Sequence, residues 1–209
     1  MVETAPIQVA TTEATRADWA RLPGLPPDPS FGPACGDCPV ESITFAEARA
    51  YCAARSIAEG LEPCDVCAIE DGRLECHENR GPCLGWRLPT GEEWEVAARG
   101  GMPTNTPLGD VTVCMRHDPL VAEQGWTKTT SGGAVRPVAL KPPNVFGLHD
   151  LVGNVAEWTA DPPDASGLRA LRGGSWYHNA EHVRASAELR APPDQRLAWA
   201  GVRCVRSLP

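Results

Sequence analysis

Nine cysteines give this 209-residue chain its most reactive side chains. Four of them form two Cys-x-x-Cys pairs, Cys35 with Cys38 and Cys64 with Cys67. Two such pairs can hold a zinc ion tetrahedrally through four thiolates, although the segment between these pairs is long for a zinc ribbon. The alternative is a set of local disulfides that involves Cys64, Cys67, Cys76 and Cys83. We favour disulfides and keep zinc open.

A second metal-binding pattern lies near the end of the chain. Residues His178 to His182 spell H-x-x-E-H, which some zinc peptidases use when both histidines share one face of a helix. Two glycines precede the segment and a strand is expected after it, so a helix is not predicted here. We interpret the pattern as coincidental, with a weak metal or ligand contact through His178 or His182 as the alternative.

Composition excludes two classes of function. The net charge of −8, without any cluster of lysines or arginines, disfavours nucleic-acid binding. No apolar run approaches the roughly 18 to 20 residues of a membrane helix. The first residues lack the basic start and apolar stretch of a signal peptide, whereas the cysteine content favours a periplasmic or extracellular location.

The elements that position these groups are expected to be short, because the chain contains 20 glycines and 21 prolines. We predict an α+β fold with little regular secondary structure. A strand is predicted at residues 7–9 and a helix at residues 12–22, capped by Thr12. Residues 60–85, with four cysteines, are interpreted as a cross-linked loop insertion. Residues 100–144 are predicted to be loops, and residues 145–209 to be short strands joined by turns.

Two capping boxes predict the helix starts more sharply. Thr44 and Glu47 precede a helix expected to run to about residue 59, and Thr90 and Glu93 open one expected to end near residue 99. The second helix should bury Trp94 and Ala97. Arg87, Glu93 and Trp94 are predicted to form a buried arginine–carboxylate pair under an indole.

Three segments in fixed order resemble the formylglycine-generating enzyme, or sulfatase-modifying factor, family. They are GWRLPTGEEWEVAARGG (85–101), PPNVFGLHDLVGNVAEWTAD (142–161), and LRGGSW (171–176) followed by AGVRC (200–204). The resemblance runs from about residue 5 to the C-terminus. It implies one domain over residues 1–209, a variant of the C-type lectin fold with a core pinned by tryptophans. The family's usual first strand is absent, so the domain is N-terminally short and a sheet edge is expected to be exposed.

The resemblance also implies particular cysteine pairings. Cys52 and Cys204 match a structural disulfide of the family, which would join the first long helix to the last strand. A second family bridge is replaced at both ends by alanine, at Ala98 and Ala185. One disulfide leaves an odd number of cysteines, and Cys114 is the candidate for the unpaired one.

A calcium site is implied at the second signature. In the family this segment wraps calcium with two side chains and two backbone carbonyls, which correspond here to Asp150, Glu157, Gly153 and Val155. Carboxylate and carbonyl oxygens are the ligands that calcium prefers. The alternative is a calcium-free turn with two solvated carboxylates.

Active members of the family use two cysteines soon after the RGGS motif to bind copper and oxidise a substrate cysteine to formylglycine. The matching stretch, GGSWYHNAEHVRASAELR, contains no cysteine. A thiolate is needed both as the soft ligand of copper and as the redox partner, and neither histidine nor valine replaces it. We therefore expect no copper and no oxidase activity of this kind.

We predict a non-catalytic, lectin-like binding module whose partner is a protein, a peptide or a glycan. Aromatic and arginine side chains dominate recognition surfaces. On that ground the candidate ligand-binding residues are Trp176, Tyr177, His178, Asn179, His182, Arg196 and Trp199. The alternatives are a metal-dependent oxidase of the formylglycine-generating type that acts on protein cysteine, and a hypervariable ligand-display protein.

Overall fold

The computed structural model describes residues 6–79, 81, 83–111 and 118–209, and its short helices and strands are joined by long irregular segments. The helices are α1 (Arg16–Arg21), α2 (Phe45–Ala58), α3 (Gly91–Arg99) and α4 (Pro119–Gln124), with a 3-10 turn at Ala180–Val183. The strands are β1 (Ile7–Val9), β2 (Asp65–Glu70), β3 (Arg73–Glu78), β4 (Ala156–Trp158), β5 (Arg169–Arg172), β6 (Leu189–Ala191), β7 (Ala200–Gly201) and β8 (Val205–Ser207). The predicted α+β fold with little regular structure is confirmed.

The strands form three small sheets. A four-stranded sheet has the order β6-β5-β4-β7, in which β4 and β7 run parallel and the other pairs antiparallel. β1 pairs with β8, and β2 pairs with β3. Because β1 and β8 come from the two ends of the chain, their pairing closes the domain. In the described part of the chain, no helix is long and apolar enough to cross a membrane.

Tryptophans pin the core, as the resemblance implied. Trp19, Trp86, Trp94 and Trp158 are each at most 2% exposed. Trp158 packs edge-on against Phe45 of α2, and its indole N–H donates to the carbonyl of Ile43 at 3.1 Å. A buried indole usually finds such a partner, since an unsatisfied N–H inside a core is costly. These contacts hold α2 against the four-stranded sheet.

α2 and α3 begin where the sequence predicted. The hydroxyls of Thr44 and Thr90 each accept a hydrogen bond from the backbone amide three residues on, and the glutamate at that position accepts one from the threonine backbone amide. The helix α1 is present within the predicted range, but its predicted start and cap were wrong. Thr15 is its cap, in a capping box with Asp18, and Thr12 lies outside the helix. The preceding residues are extended because Ala14 pairs through its backbone with Val202 and Val40.

Residues 65–78 form a β-hairpin of β2 and β3, so the segment interpreted as a cross-linked loop contains regular structure. Asp71 and Gly72 both have positive φ, at 49° and 77°, as the two central residues of a tight hairpin turn require. The register places Cys67 opposite Cys76, and the two form a disulfide. A second disulfide, Cys64–Cys83, closes the base of the hairpin.

The described cysteines lie in disulfides. Cys52 of α2 is bonded to Cys204, as the resemblance implied, and Cys35 is bonded to Cys38. The zinc alternative does not fit, because the four sulfurs proposed for it belong to three separate bridges and supply no thiolates. Cys114, the candidate unpaired cysteine, lies outside the described residues.

Three further predictions can be compared with the structure. Ala98 and Ala185, where the family has a second bridge, lie in one buried apolar cluster.

Residues 100–144 contain the short helix α4, so the prediction of loops alone was incomplete. The Asp118 carboxylate caps the start of this helix, and a proline is its first residue. Residues 145–209 consist of short strands and turns, as predicted.

Arg87 and Glu93 form the predicted pair. The guanidinium binds both carboxylate oxygens, at 2.7 and 2.6 Å. The pair is partly exposed, however, and the indole of Trp94 does not take part in its hydrogen bonds. Its N–H donates instead to Glu157 at 2.5 Å.

Candidate functional site

A glycine pair after β5 positions the candidate ligand loop. Gly174 has φ +64°, and a side-chain carbon at this position would lie 2.7 Å from Val183 and 2.8 Å from the carbonyl of His182. Only glycine therefore allows the backbone to turn so close to the 3-10 segment. The turn folds residues 175–183 against the end of β5.

His178 is held in one orientation within this loop. The Ser175 hydroxyl lies 2.7 Å from its Nδ1 and also accepts a hydrogen bond from the Tyr177 amide at 3.2 Å. The His178 carbonyl accepts from the amide of Lys128 at 2.9 Å. Burial, and secondly the neighbouring charge of His182, lowers the pKa of His178 to about 4. The imidazole is therefore neutral at neutral pH.

His178 belongs to a group of five packed rings, which we call the aromatic–histidine group: Trp176, Tyr177, His178, His182 and Trp199. The His178 ring centroid lies 4.7 Å from Trp199, 5.4 Å from His182 and 5.8 Å from Tyr177. Trp176 packs edge-on against Tyr177 at 5.7 Å. Tyr177 is 55% exposed, so the group presents an aromatic face to solvent. The other rings of the group are more buried and support this face.

The supports of the group come from two other segments. The Trp176 indole donates to the carbonyl of Ala198 at 2.8 Å, and the Ser131 hydroxyl donates to the carbonyl of Trp176 at 3.2 Å. Lys128 places its ammonium 6.0 Å from the centre of the Tyr177 ring. A rigid base lowers the conformational entropy that a ligand would have to remove on binding.

Two of the predicted ligand residues lie outside this group. Asn179 makes no ring contact, and its amide lies 3.5 Å from Glu181. Arg196 is engaged elsewhere, because it donates to the carbonyl of Ser42 at 2.8 Å and pairs with Glu47 of α2. Arg196 was predicted as a ligand residue because arginines are common on recognition surfaces, but its long side chain reaches α2 instead.

The group offers little for nucleophilic or zinc chemistry. Ser175 is fully buried, so its hydroxyl orients His178 and is not presented to a substrate. His178 precedes the 3-10 turn and His182 lies within it, so the two histidines do not share the face of one helix. Within the described residues, no group of three or more histidine, cysteine or acidic side chains is arranged to hold a metal.

The predicted calcium segment contains one observation for and one against the ion. Asp150 is buried and accepts from the Ala139 amide through Oδ2 at 2.7 Å, whereas its Oδ1 has no hydrogen-bond partner among the described residues and could serve as a cation ligand. Glu157 is paired with Arg203, and both of its oxygens accept from the guanidinium. Calcium would therefore have to share the Glu157 carboxylate with Arg203.

A third buried carboxylate, which the sequence analysis missed, lies beside this segment. Glu13 is 1% exposed and accepts from the Asn154 side chain at 2.6 Å and from the Val155 amide at 2.9 Å. Burial, and then the charges of Asp150 and Glu157, raises the pKa of Glu13 well above its ordinary value. No local sequence signal marks this residue, because its partners lie about 140 positions away.

Comparisons with known proteins identify relatives that match nearly the whole chain. The family model of the sulfatase-modifying factor enzyme 1-like domain matches residues 8–208. The chain is 32% identical to the inactive C-alpha-formylglycine-generating enzyme 2 of Bos taurus, over 92% of this chain and 61% of that protein. It is 30% identical to the chaperone protein LppX of Paenibacillus barcinonensis, over 93% of this chain and 78% of that protein.

A solved structure has the same fold. The Treponema denticola variable protein 1 superposes with a TM-score of 0.78 at 27% sequence identity. The match covers 97% of this chain and 84% of that protein. The chain spans only 61% of the bovine relative, so the activity of that whole protein cannot be transferred to it directly.

Proposed function

This chain belongs to the sulfatase-modifying factor enzyme 1-like family, and we propose that it is a non-catalytic binding module whose ligand surface is the aromatic–histidine group. The observation that carries the proposal is the difference in side chains on that loop between this chain and the active members of the family. Where the active members have cysteines, this chain has a neutral, hydroxyl-anchored His178 between an exposed Tyr177 and a partly buried Trp199. Such a face is suited to contact and lacks the thiolates of the oxidase.

We propose a protein or peptide as the partner. Tyrosine and tryptophan supply large contact areas at low entropic cost, and a nearby lysine adds a charge that fixes orientation. The relative named as a chaperone protein supports a protein ligand, and the relative named as inactive supports the absence of catalysis. The four disulfides suggest an oxidising environment, and within that class we propose the periplasm or the extracellular space.

A structural calcium ion at Asp150, Gly153, Val155 and Glu157 is part of this proposal. Three carboxylates are buried near the Arg203 guanidinium in this region, and a divalent cation would offset the repulsion that helps to raise the pKa of Glu13. The partnerless Oδ1 of Asp150 is the free ligand that such an ion needs. The ion would stabilise the segment that carries Val155 and β4. The ligand loop contacts this segment through the hydrogen bond that the Trp176 amide donates to the Asn154 carbonyl.

A second candidate function is the display of variable ligand-binding residues. The similarity to a solved protein titled as a variable protein supports it. Under this proposal the exposed positions of residues 176–199 vary between copies of the gene while the glycines and the buried residues stay constant. Sequencing the gene from many isolates tests this. Uniform sequences across that segment would argue against it.

The experiment for the binding module compares two exposed aromatic residues. Peptide and glycan arrays are screened with the wild-type protein, and the best ligand is then titrated against Tyr177→Ala and Phe146→Ala. Both side chains are more than half exposed, and only Tyr177 belongs to the group. We expect a loss of roughly tenfold or more for Tyr177→Ala, as for a contact in the centre of an interface, and no loss for Phe146→Ala.

The same preparation is incubated with copper and a cysteine peptide, and aldehyde is measured. Copper-dependent turnover would refute the non-catalytic assignment in favour of the oxidase. A ligand that binds both variants equally would remove the aromatic–histidine group from the proposal. A ligand that proves to be a glycan would correct the class of partner.

A further inference from the structure

Two arginines meet over one aromatic ring at the junction of α2, β5 and the disulfide-linked hairpin. The guanidinium carbon of Arg169 lies 4.4 Å from the centre of the Phe45 ring, and that of Arg49 lies 5.9 Å from it. Clefts of about 410 and 550 Å³ open on this spot, and both are lined by Phe45, Arg49 and Arg169. We call this region the arginine cleft.

The two arginines differ in how their charge is balanced. Arg49 donates to the carbonyl of Cys76 at 2.7 Å and pairs with Asp65, so it fastens the hairpin to α2. Among the described residues, Arg169 donates to the backbone carbonyl of Asp161, at 2.9 Å. In the described part of the chain, it forms no ion pair with any carboxylate.

Arg169 is therefore a cation held close to another cation without an acidic partner. Burial, and then the charge of Arg49, lowers the pKa of Arg169, although an arginine stays protonated after such a shift. In a chain with a net charge of −8 an unbalanced arginine could easily have found a carboxylate. Its fork of N–H donors beside an open cleft has the geometry that binds planar or tetrahedral oxyanions.

We propose that the arginine cleft is a binding site for a compact oxyanion, namely the phosphate, sulfate or carboxylate group of a ligand. Arg169 is the principal contact, and Arg49, which is already paired with Asp65, lies beside it in both clefts. The Phe45 ring forms the floor and orients the Arg169 guanidinium. The site lies partly on the hairpin and is separate from the aromatic–histidine group, so it does not rest on the proposed binding function.

Carboxylates in the lining of the cleft limit how many negative groups a ligand can carry. Asp65 and Glu78 line one part of the cleft, and Glu47, Glu75 and Asp194 line the other. Asp65 is paired with Arg49 and Glu47 with Arg196, and among the described residues none of the five pairs with Arg169. These carboxylates would repel a polyanion that extended along the walls. A single oxyanion group between the two arginines avoids them.

The test is isothermal titration calorimetry with inorganic phosphate, sulfate and acetate at constant ionic strength. The wild-type protein is compared with Arg169→Gln, with Arg169→Lys and with Arg21→Gln as a matched control, since Arg21 is 77% exposed at the end of α1. We expect saturable binding of at least one anion, weakened about tenfold or more in Arg169→Gln and unchanged in the control. Arg169→Lys keeps the charge and should retain part of the affinity.

Thermal unfolding of each variant shows whether it is folded, and the bound anion should raise the unfolding temperature of the wild-type protein. If Arg169→Gln does not fold, the comparison of wild type with Arg169→Lys decides. Preference for phosphate or sulfate assigns an ester ligand, and equal binding of acetate assigns a carboxylate. Absence of saturable binding, or equal affinity in wild type and both Arg169 variants, overturns the proposal.

Discussion

Arg203 and Glu157 form an ion pair in which each side chain is only 1% exposed. The Nε of Arg203 donates to both carboxylate oxygens, at 2.9 and 3.0 Å, and its Nη2 lies 2.8 Å from Oε1. The same guanidinium donates to the carbonyls of Ala10 and His149, and Trp94 donates to the carboxylate. The pair therefore joins β4 to α3, to the segment after β1 and to the start of the calcium segment.

Replacing Arg203 by methionine should destabilise the fold strongly. The substitution leaves Glu157 charged and buried with only the Trp94 indole as a donor, and breaking a buried pair in this way costs roughly 3–5 kcal/mol. Arg21→Met, which removes an exposed pair with Asp18, should change the free energy of unfolding by less than about 1 kcal/mol. Urea denaturation measures both. A loss below that of the control would mean that Glu157 is protonated or carries another cation.

Removing the Cys52–Cys204 disulfide should cost more than removing the disulfide within the hairpin. The first bond closes a loop with a sequence separation of 152 and the second one of 9. Restriction of the unfolded chain then stabilises by about 5 and about 2.5 kcal/mol, respectively. Urea denaturation of Cys52→Ala/Cys204→Ala and of Cys67→Ala/Cys76→Ala measures the difference. Equal losses would show that local packing, and not chain entropy, determines the effect.

Local patterns predicted the helix starts well where one cap was available. Thr44 and Thr90 each have a glutamate three residues on, so both halves of the capping box are encoded within four residues. Before α1, Thr12 and Thr15 compete as caps. The choice falls to Thr15 because Ala14 is drawn into extended pairing with Val202, a contact across most of the chain.

The hairpin was predictable but was missed. Asp71-Gly72 is a strong two-residue turn signal between segments of strand-forming residues. The density of cysteines drew the interpretation towards an irregular loop instead. Disulfides and strand pairing are compatible, since Cys67 and Cys76 are directly opposed in the ladder.

The site itself was only partly predictable. The ring contacts of His178 follow from positions within one loop and from Trp199, which lies in a neighbouring segment of the sequence. The positions of Glu13 and Arg196 depend on partners about 140 and 150 residues away. No local pattern carries such information, because the partners are chosen by the packing of the whole domain.

Calcium should stabilise the protein if the ion occupies the proposed segment. It would bind Asp150 Oδ1 and offset the repulsion among the buried carboxylates, so the unfolding temperature should rise with calcium and fall with a chelator. Asp150→Asn should abolish this response, whereas Asp71→Asn in the exposed hairpin turn should keep it. Differential scanning calorimetry is the measurement. Identical unfolding temperatures with calcium and with chelator would mean that Glu157 pairs with Arg203 without an ion, and would remove calcium from the proposal.

The pH dependence of stability should carry a contribution from His178. In the folded protein its pKa is lowered to about 4, from an ordinary value of 6.5, by burial first and by His182 second. Between these values the unfolded chain binds the proton and the folded protein does not, so stability is full above about pH 6.5 and falls as the pH drops towards 4. Wild type should therefore lose more stability over this range than His178→Phe, while His77→Phe, at a 72% exposed side chain, should behave as wild type. Urea denaturation over this range gives the slopes, and NMR titration of the His178 ring protons should show a midpoint near 4. A midpoint near 6.5, with equal slopes in wild type and His178→Phe, would show that the ring is open to solvent. The packing of His178 within the aromatic–histidine group would then have to be abandoned.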